Sequence, residues 1–432
     1  MNNKRTLWAW AMYDFANSAF TTLVVTFIYG TYFTKAIAPD EILGTKWWSW
    51  AISITAILVS LLSPVLGALS DVGGYRKWIM MGSTWLCVGA TALLFFPQEG
   101  QVLMALTLFV LANVTFEFGT VFCSAYLPEI ASEDRLGRAS GFAWGLGYVG
   151  GLMALGLALV LLVQPDVPIL GFSTENGENI RATNLLVALW FFLFSIPTFL
   201  WVKDRKPEKG TFRQSVNSSF SRLRKTFSEL KNHQQVGRFL LARLVYNDAL
   251  VTIFAFGGIY AAGVIGFSFE EIMLMGIVLN LTAGLGAFLM GYIDDKKGGK
   301  RTVQYSILFL ALACLIAFSA PDLPGLLEYV FGGAAVPSWF TPKALFWMAA
   351  ILIGFFSGPN QAASRSLMAR FTPSEKRNEF FGFYAFSGKA TSFLGPLLFG
   401  WATVAFGSQQ AGLVVVFVLF VLGYFLLKRV QD

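Results

Sequence analysis

Apolar residues run through this chain in long blocks, not in the strict alternation of a half-buried strand or the one-sided stripe of a surface helix. A block of about 20 apolar residues is what a helix needs to cross a bilayer. Twelve such spans are read here: 8–34, 47–70, 78–96, 101–127, 139–163, 184–202, 238–265, 269–293, 302–320, 344–369, 380–404 and 410–427. One long polar interruption, KDRKPEKGTFRQSVNSSFSRLRKTFSELKNHQQVG at residues 203–237, separates six spans from six. The pattern therefore predicts an all-α membrane protein. An N-terminal bundle is expected over 1–202, a basic linker over 203–237 and a C-terminal bundle over 238–432.

Within the spans, polar positions are not scattered. Span 1 carries Asp14 and Asn17 beside Tyr13; span 4 carries Asn113 and Glu117; span 7 carries Arg243, Asn247 and Asp248; span 10 carries Asn360, Gln361 and Arg365. Spans 3, 6, 9 and 12 have no charged residue in their interiors, and the exception elsewhere is Lys389 in span 11. Asp14 to Asn17 is a spacing of three, and Asn113 to Glu117 and Arg243 to Asn247 are spacings of four, so each set shares one helix face. A charge at the bilayer centre costs roughly 2.5–3.5 kcal/mol on insertion scales. The expected resolution is that every third helix, from the first, turns its polar face to a hydrated cavity that handles substrate or protons.

The two halves repeat each other. GALSDVGGYRKW from Gly67 aligns without a gap on GYIDDKKGGKRT from Gly291. Asp71 then falls on Asp295, Gly74 on Gly298, Arg76 on Lys300 and Lys77 on Arg301. A second echo sets SEDRLGRASGF from Ser132 against SEKRNEFFGF from Ser374. An even number of spans between copies makes this a parallel repeat about an axis along the membrane normal. The run GFAWGLGYVGG offers two small-xxx-small pairs, Gly141 with Gly145 and Gly147 with Gly151, suited to close helix packing.

Composition and charge sharpen this picture. The 432 residues are 56% apolar and only 13% charged, with a mean hydropathy of +0.61. The net charge of +7 is a matter of topology, not a nucleic-acid footprint: 25 Lys and Arg lie in the loops and tails on one side and four on the other. By the positive-inside rule both termini are expected in the cytoplasm of a multi-pass cell-membrane protein, an inner membrane if the source is bacterial. MNNKRT precedes a stretch too long and too acidic for a signal peptide, so a retained first span is expected. Cys87, Cys123 and Cys314 fall in apolar spans without metal-like spacing, and the single histidine, His233, lies in the central loop. No metal, cofactor or nucleic acid is expected, and the chain is expected to be a monomer.

Twelve spans, parallel halves and the duplicated loop resemble the major facilitator superfamily over the whole chain. The loop signature of that family is Gly, three residues, Asp, a base, any residue, Gly, any residue, then two bases. GYIDDKKGGKR fits it throughout, while GALSDVGGYRK departs at Val72, where a base is usual. The resemblance implies that Asp71, Arg76 and Lys77, and likewise Asp295, Lys300 and Arg301, make charge pairs near the cytoplasmic ends of neighbouring helices, which stabilises the outward-facing state. YDFANSAF, GPNQAASRSLMAR and FYAFSGKATSFLGP are similar to the branch of the autophagy-related vacuolar effluxers of fungi and their bacterial relatives, long filed as an unknown major facilitator family. That implies efflux of amino acids or similar small polar solutes.

The expected function is thus a secondary active transporter, proton-coupled, moving a small polar organic solute and contacting membrane lipid. The alternative is an uncoupled facilitator or exchanger of another class, such as sugars, peptides or nucleosides. GxxxxGK[ST], HExxH and GxSxG are absent, which argues against ATP drive and an intramembrane hydrolase. A static scaffold has no use for two copies of a conformational motif. No enzyme is expected.

Overall fold

In a computed structural model, the structure describes residues 4–73, 75–204, 233–331, 337 and 339–431. Gly74 and residues 205–232 of the expected linker lie outside the described residues. Thirteen helices carry the architecture: α1 Lys4–Ala19, α2 Glu41–Gly73, α3 Arg76–Leu93, α4 Val102–Ser124, α5 Leu136–Ala158, α6 Glu178–Trp201, α7 Gln234–Tyr260, α8 Phe269–Lys297, α9 Gly299–Ser319, α10 Pro342–Phe371, α11 Arg377–Lys389, α12 Leu394–Phe406 and α13 Gln409–Lys428. Each falls on one of the twelve expected spans, with α11 and α12 together forming span 11, while α1 covers only the first part of span 1. This is an all-α membrane protein.

Nine helical stretches among the described residues are long and apolar enough to cross a membrane. Two of the other spans are segmented for visible reasons. Span 1 leaves α-helical geometry at Phe20 and continues through a π-helical stretch to Phe27, with Ile28 N–H donating five residues back to Leu23. Span 11, expected as one helix over 380–404, breaks instead at residues 390–393. There Ser392 N–H turns back to the Lys389 carbonyl and Leu394 N–H to that of Thr391.

The chain forms two compact units: Met1–Glu229 with Thr372–Phe386, and Leu230–Phe371 with Ser387–Asp432. In the first unit α1 is gripped by α5 and α6. Trp10 Nε1 donates to the Cys123 carbonyl, Trp190 Nε1 to that of Phe15 and Thr198 Oγ1 to that of Ala9. The glycine run of α5 lets the backbones touch: a Cβ at Gly150 would run into the Phe15 carbonyl. Gly147 and Gly151 also face α1, so part of the small-residue stripe is a packing seam, with Gly150 an unforeseen member.

In the second unit the heaviest packing is α8 and α9 on α10, and α7 on α13. Local signals set the connections. Ser268 and Glu271 form a capping box that starts α8. Gly298, at φ +90°, makes the sharp turn from α8 into α9 that a side chain would strain.

Candidate functional site

The polar face of α7 in the second unit is spent on the break in span 11. Arg243 Nη1 donates to Ser387 Oγ at 2.9 Å, and Asn247 Nδ2 to the Gly388 carbonyl at 2.9 Å. One turn on, Thr391 Oγ1 donates to Asp248 Oδ1 at 3.1 Å. Gly388 has no room for a Cβ, because the Arg243 guanidinium occupies that place. A discontinuous helix exposes backbone groups at membrane depth, which is tolerated only where protein or a cavity receives them. Here Asn247 of α7 receives the Gly388 carbonyl beside the break, Arg243 and Asp248 meet the hydroxyls of Ser387 and Thr391, and Lys389 ends α11 at its edge.

Asp248 is 4% exposed, and its carboxylate accepts only the neutral Thr391 hydroxyl. Among the described residues no base pairs with it. Two other acids contrast with it. Glu129 is held by Arg76 and Arg377, and Asp294 by Arg370 and Ser366.

The first unit carries an echo of this arrangement that the aligned loop motifs did not disclose. Ser18 Oγ donates to the carbonyl of Asp14 four residues back, and Thr252 Oγ1 donates to that of Asp248, also four back. Against the first turn lies Gly147 of span 5, where a Cβ would meet Ser18 Oγ at 2.9 Å. Against the second lies Gly395 of span 11, where it would meet the Asp248 carbonyl oxygen at 2.7 Å. Spans 1 and 5 of one half correspond to spans 7 and 11 of the other. Asp14 and Asp248 therefore stand at equivalent places: a buried acid, a hydroxyl one turn later, and a glycine letting the neighbour approach.

The remaining expected residues divide by environment. Asn17, Asn113 and Asn360 are buried, as is Arg365, while Glu117, Asn247, Gln361 and Lys389 are half-buried. Asn360 Nδ2 meets no acceptor among the described residues, which for a buried amide asks for a polar visitor. Tyr13 sits in a packing position: it is fully buried, its hydroxyl 2.8 Å from Thr84 Oγ1 and its ring edge-on to Phe191 and Phe199. Ser387, Gly388, Thr391 and Gly395 are partners that the expected set lacked. Their signal was visible in FSGKATSFLG, a cluster of small and hydroxyl residues in mid-span.

The charged residues of the duplicated loop motif find their partners on other elements, unevenly in the two copies. Asp71 does not pair with Arg76 or Lys77. Its carboxylate accepts from the Asn378 and Glu379 backbone N–H groups at 3.2 and 2.8 Å and from Asn378 Nδ2 at 2.6 Å, which places it at the N-terminus of α11. The free N–H groups and positive dipole of a helix start answer a carboxylate as well as a base would. Gly67 allows this approach, since a Cβ there would strike the Asn378 backbone. Arg76 instead grips Glu129 with both Nη atoms at 3.1 and 2.8 Å, reaches Asp204 at 3.0 Å and lies over the Tyr126 ring. Lys77 Nζ caps the Val202 carbonyl. In the second copy the base that reaches the acids is Arg370, not Lys300 or Arg301. Its Nη1 is 2.6 Å from Asp294 and its Nη2 3.9 Å from Asp295, so Arg370 grips Asp294 the more closely. Gly291 begins that motif on α8 and Gly298 ends the helix.

Comparison with known proteins follows this geometry. The family described as "Vacuole effluxer Atg22 like" matches residues 48–432. The MFS-type transporter YxiO of Bacillus subtilis is 26% identical over 430 residues, covering 98% of this chain and 94% of that one. Autophagy-related protein 22-1 of Aspergillus niger is 22% identical over 316 residues, which is 70% of this chain and 48% of the fungal one. The chain thus spans about half the length of that fungal relative. Among solved structures, the proton:xylose symporter XylE superposes with a TM-score of 0.71 at 14% identity, covering 100% of this chain and 97% of that one. An outward-facing bacterial homologue of the iron transporter ferroportin gives 0.70 at 13% identity, covering 99% of both chains.

Proposed function

The chain belongs to the Atg22-like family of major facilitator transporters, and from that premise we propose that it moves a small polar organic solute by alternating access, driven by protons. An amino acid is the solute class that suits the residues best. Acids at Asp14, Glu117 and Asp248 and bases at Arg243, Arg365 and Lys389 provide both signs of charge within the membrane, as a zwitterion requires. Export, the direction in the family's description, is the direction proposed. The cell membrane is the proposed site, with both termini in the cytoplasm.

The observation that carries the reading is the junction of α7 with the broken span 11. A rigid scaffold gains nothing from interrupting a transmembrane helix and then setting Arg243, Asn247 and Asp248 against the interruption. A transporter gains a place where backbone and side-chain groups can exchange partners as access alternates. Asp248 supports the proton step, because a buried acid held by one neutral hydroxyl is suited to exchanging a proton with a passing solute or water.

The test is transport by the purified protein in liposomes loaded with the twenty amino acids, one radiolabelled at a time, under an imposed pH gradient. Accumulation that collapses with a protonophore is the expected result. Accumulation or exchange indifferent to the protonophore would replace proton coupling by facilitated exchange. No flux of any amino acid, with flux of sugars, peptides or nucleosides, would replace the solute class.

A further inference from the structure

We propose that the groove between the start of α7 and the end of α13 is a binding site for the headgroup of an anionic phospholipid. The inference does not depend on which solute is carried. The two helices are pressed together in mid-membrane, where a Cβ at Gly423 would meet Cβ of Tyr246 at 2.7 Å. At their ends they are tied again: Gln431 N–H donates to Gln235 Oε1 at 2.7 Å, and Arg238 Nη1 to the Arg429 carbonyl at 3.2 Å. Between these fastenings lies a groove of about 430 Å³ lined by Arg238, Leu241, Leu426 and Arg429.

Its lining is amphiphilic in the order a lipid is. Arg238 and Arg429 stand at the membrane boundary, both exposed, and among the described residues neither guanidinium pairs with a carboxylate. Leu241 is 54% exposed one turn deeper on α7, and Phe425 and Leu422 continue the apolar surface down α13. A soluble anion would satisfy the arginines and leave the leucines unused, while a neutral lipid would do the reverse. A phosphodiester carrying acyl chains and a net negative charge satisfies both, with paired N–H donors on the phosphate oxygens. Basic residues clustered where helices meet the bilayer surface are the recognised form of such a site.

Native mass spectrometry of the detergent-purified protein, titrated with palmitoyl-oleoyl phosphatidylglycerol or phosphatidylcholine, tests the proposal. Wild type should hold its tightest phosphatidylglycerol in preference to phosphatidylcholine. Each arginine removed should weaken it about fivefold, so R238Q/R429Q loses about 25-fold, while phosphatidylcholine binding does not change. R238K/R429K should keep most of the preference, and inorganic phosphate should fail to displace the lipid. Thermal unfolding with added phosphatidylglycerol is the second readout: it should stabilise wild type and leave R238Q/R429Q unmoved. The single variant R429Q, which leaves the Arg238 contact to the backbone intact, carries the same test should the pair unsettle the helix ends. Equal phosphatidylglycerol affinity in wild type and R429Q overturns the proposal. So does displacement by inorganic phosphate, which would make this a soluble-anion site.

Discussion

Asp14 and Asp248 show how one residue type is used twice in the same local arrangement, each acid buried and followed one turn later by a hydroxyl bonded to its carbonyl. A carboxyl moved out of water without a cation is costly as an anion, and neutral partners such as Thr391 answer only part of that cost. If Asp248 carries the coupled proton, Asp248→Asn should abolish uphill accumulation in liposomes while substrate exchange survives at near wild-type rate. Uphill transport equal to wild type would remove Asp248 from the coupling. Asp14→Asn separates the roles of the two acids in the same assay: loss of coupling there with Asp248→Asn unaffected would move the proton site to span 1. A glycine tests the packing around these acids. Gly395→Val drives side-chain carbon into the Asp248 carbonyl, where overpacking costs typically 1–3 kcal/mol, roughly. Gly400 on the same helix faces open space, so Gly400→Val should leave thermal unfolding in detergent unchanged. Equal melting of the two variants would deny the close approach.

At the scale of elements, α11 is the informative case. Its start is fastened by a carboxylate from α2, and its end stops at Lys389 in the middle of a span. Asp71 gives the helix what an N-terminal cap gives, namely acceptors for N–H groups with no partner inside the helix. A carboxylate at a helix start is worth about 0.3–1 kcal/mol when exposed and up to about 2 kcal/mol when partly buried. Asp71→Ala should therefore speed hydrogen exchange at the Asn378 and Glu379 amides by about five- to thirtyfold and leave α8 unchanged. Unchanged protection at those amides would show that Asp71 does not hold the helix start. Arg76 is a different kind of fastening, a guanidinium shared between Glu129 and Asp204 and stacked on Tyr126. Removing Glu129 leaves a buried charge with half its partners, so Glu129→Gln should lower the melting temperature by more than Asp134→Asn, whose side chain is exposed.

For the whole molecule the governing fact is the asymmetry of charge between the two sides of the membrane, 25 basic residues against four. It predicts that the loop after α4 faces the cytoplasm and the loop before α6 faces outward. Asp134 and Thr174 are exposed in those loops, and the three native cysteines are buried. Cysteines placed at the two positions should react with an impermeant maleimide from opposite sides of intact cells or right-side-out vesicles. Reaction of both from the same side would overturn the topology.

The amino-acid sequence by itself determined the helical class, the rough placing of the spans, the duplication and the sorting of polar residues onto spans 1, 4, 7 and 10. Each of these follows from quantities that add along the chain: apolar length against bilayer thickness, and charge against the cost of burial. Only the tertiary structure decided partners. Asp71 and Arg76 stand five residues apart in one motif, yet one meets a helix terminus and the other an acid 53 positions on. The same holds for the break in span 11. FSGKATSFLG reads as a weak point, but its partners on α7 are visible only in space: Asn247 at the Gly388 carbonyl, Arg243 at the Ser387 hydroxyl and Asp248 at that of Thr391. The equivalence of Asp14 and Asp248 was hidden for a related reason. It resides in the turn each acid forms and the glycine that meets it, and the two glycines lie on helices more than a hundred residues from their acids in sequence. Hydropathy is a local sum, whereas a hydrogen bond is a coincidence in space between residues that the chain alone does not bring together.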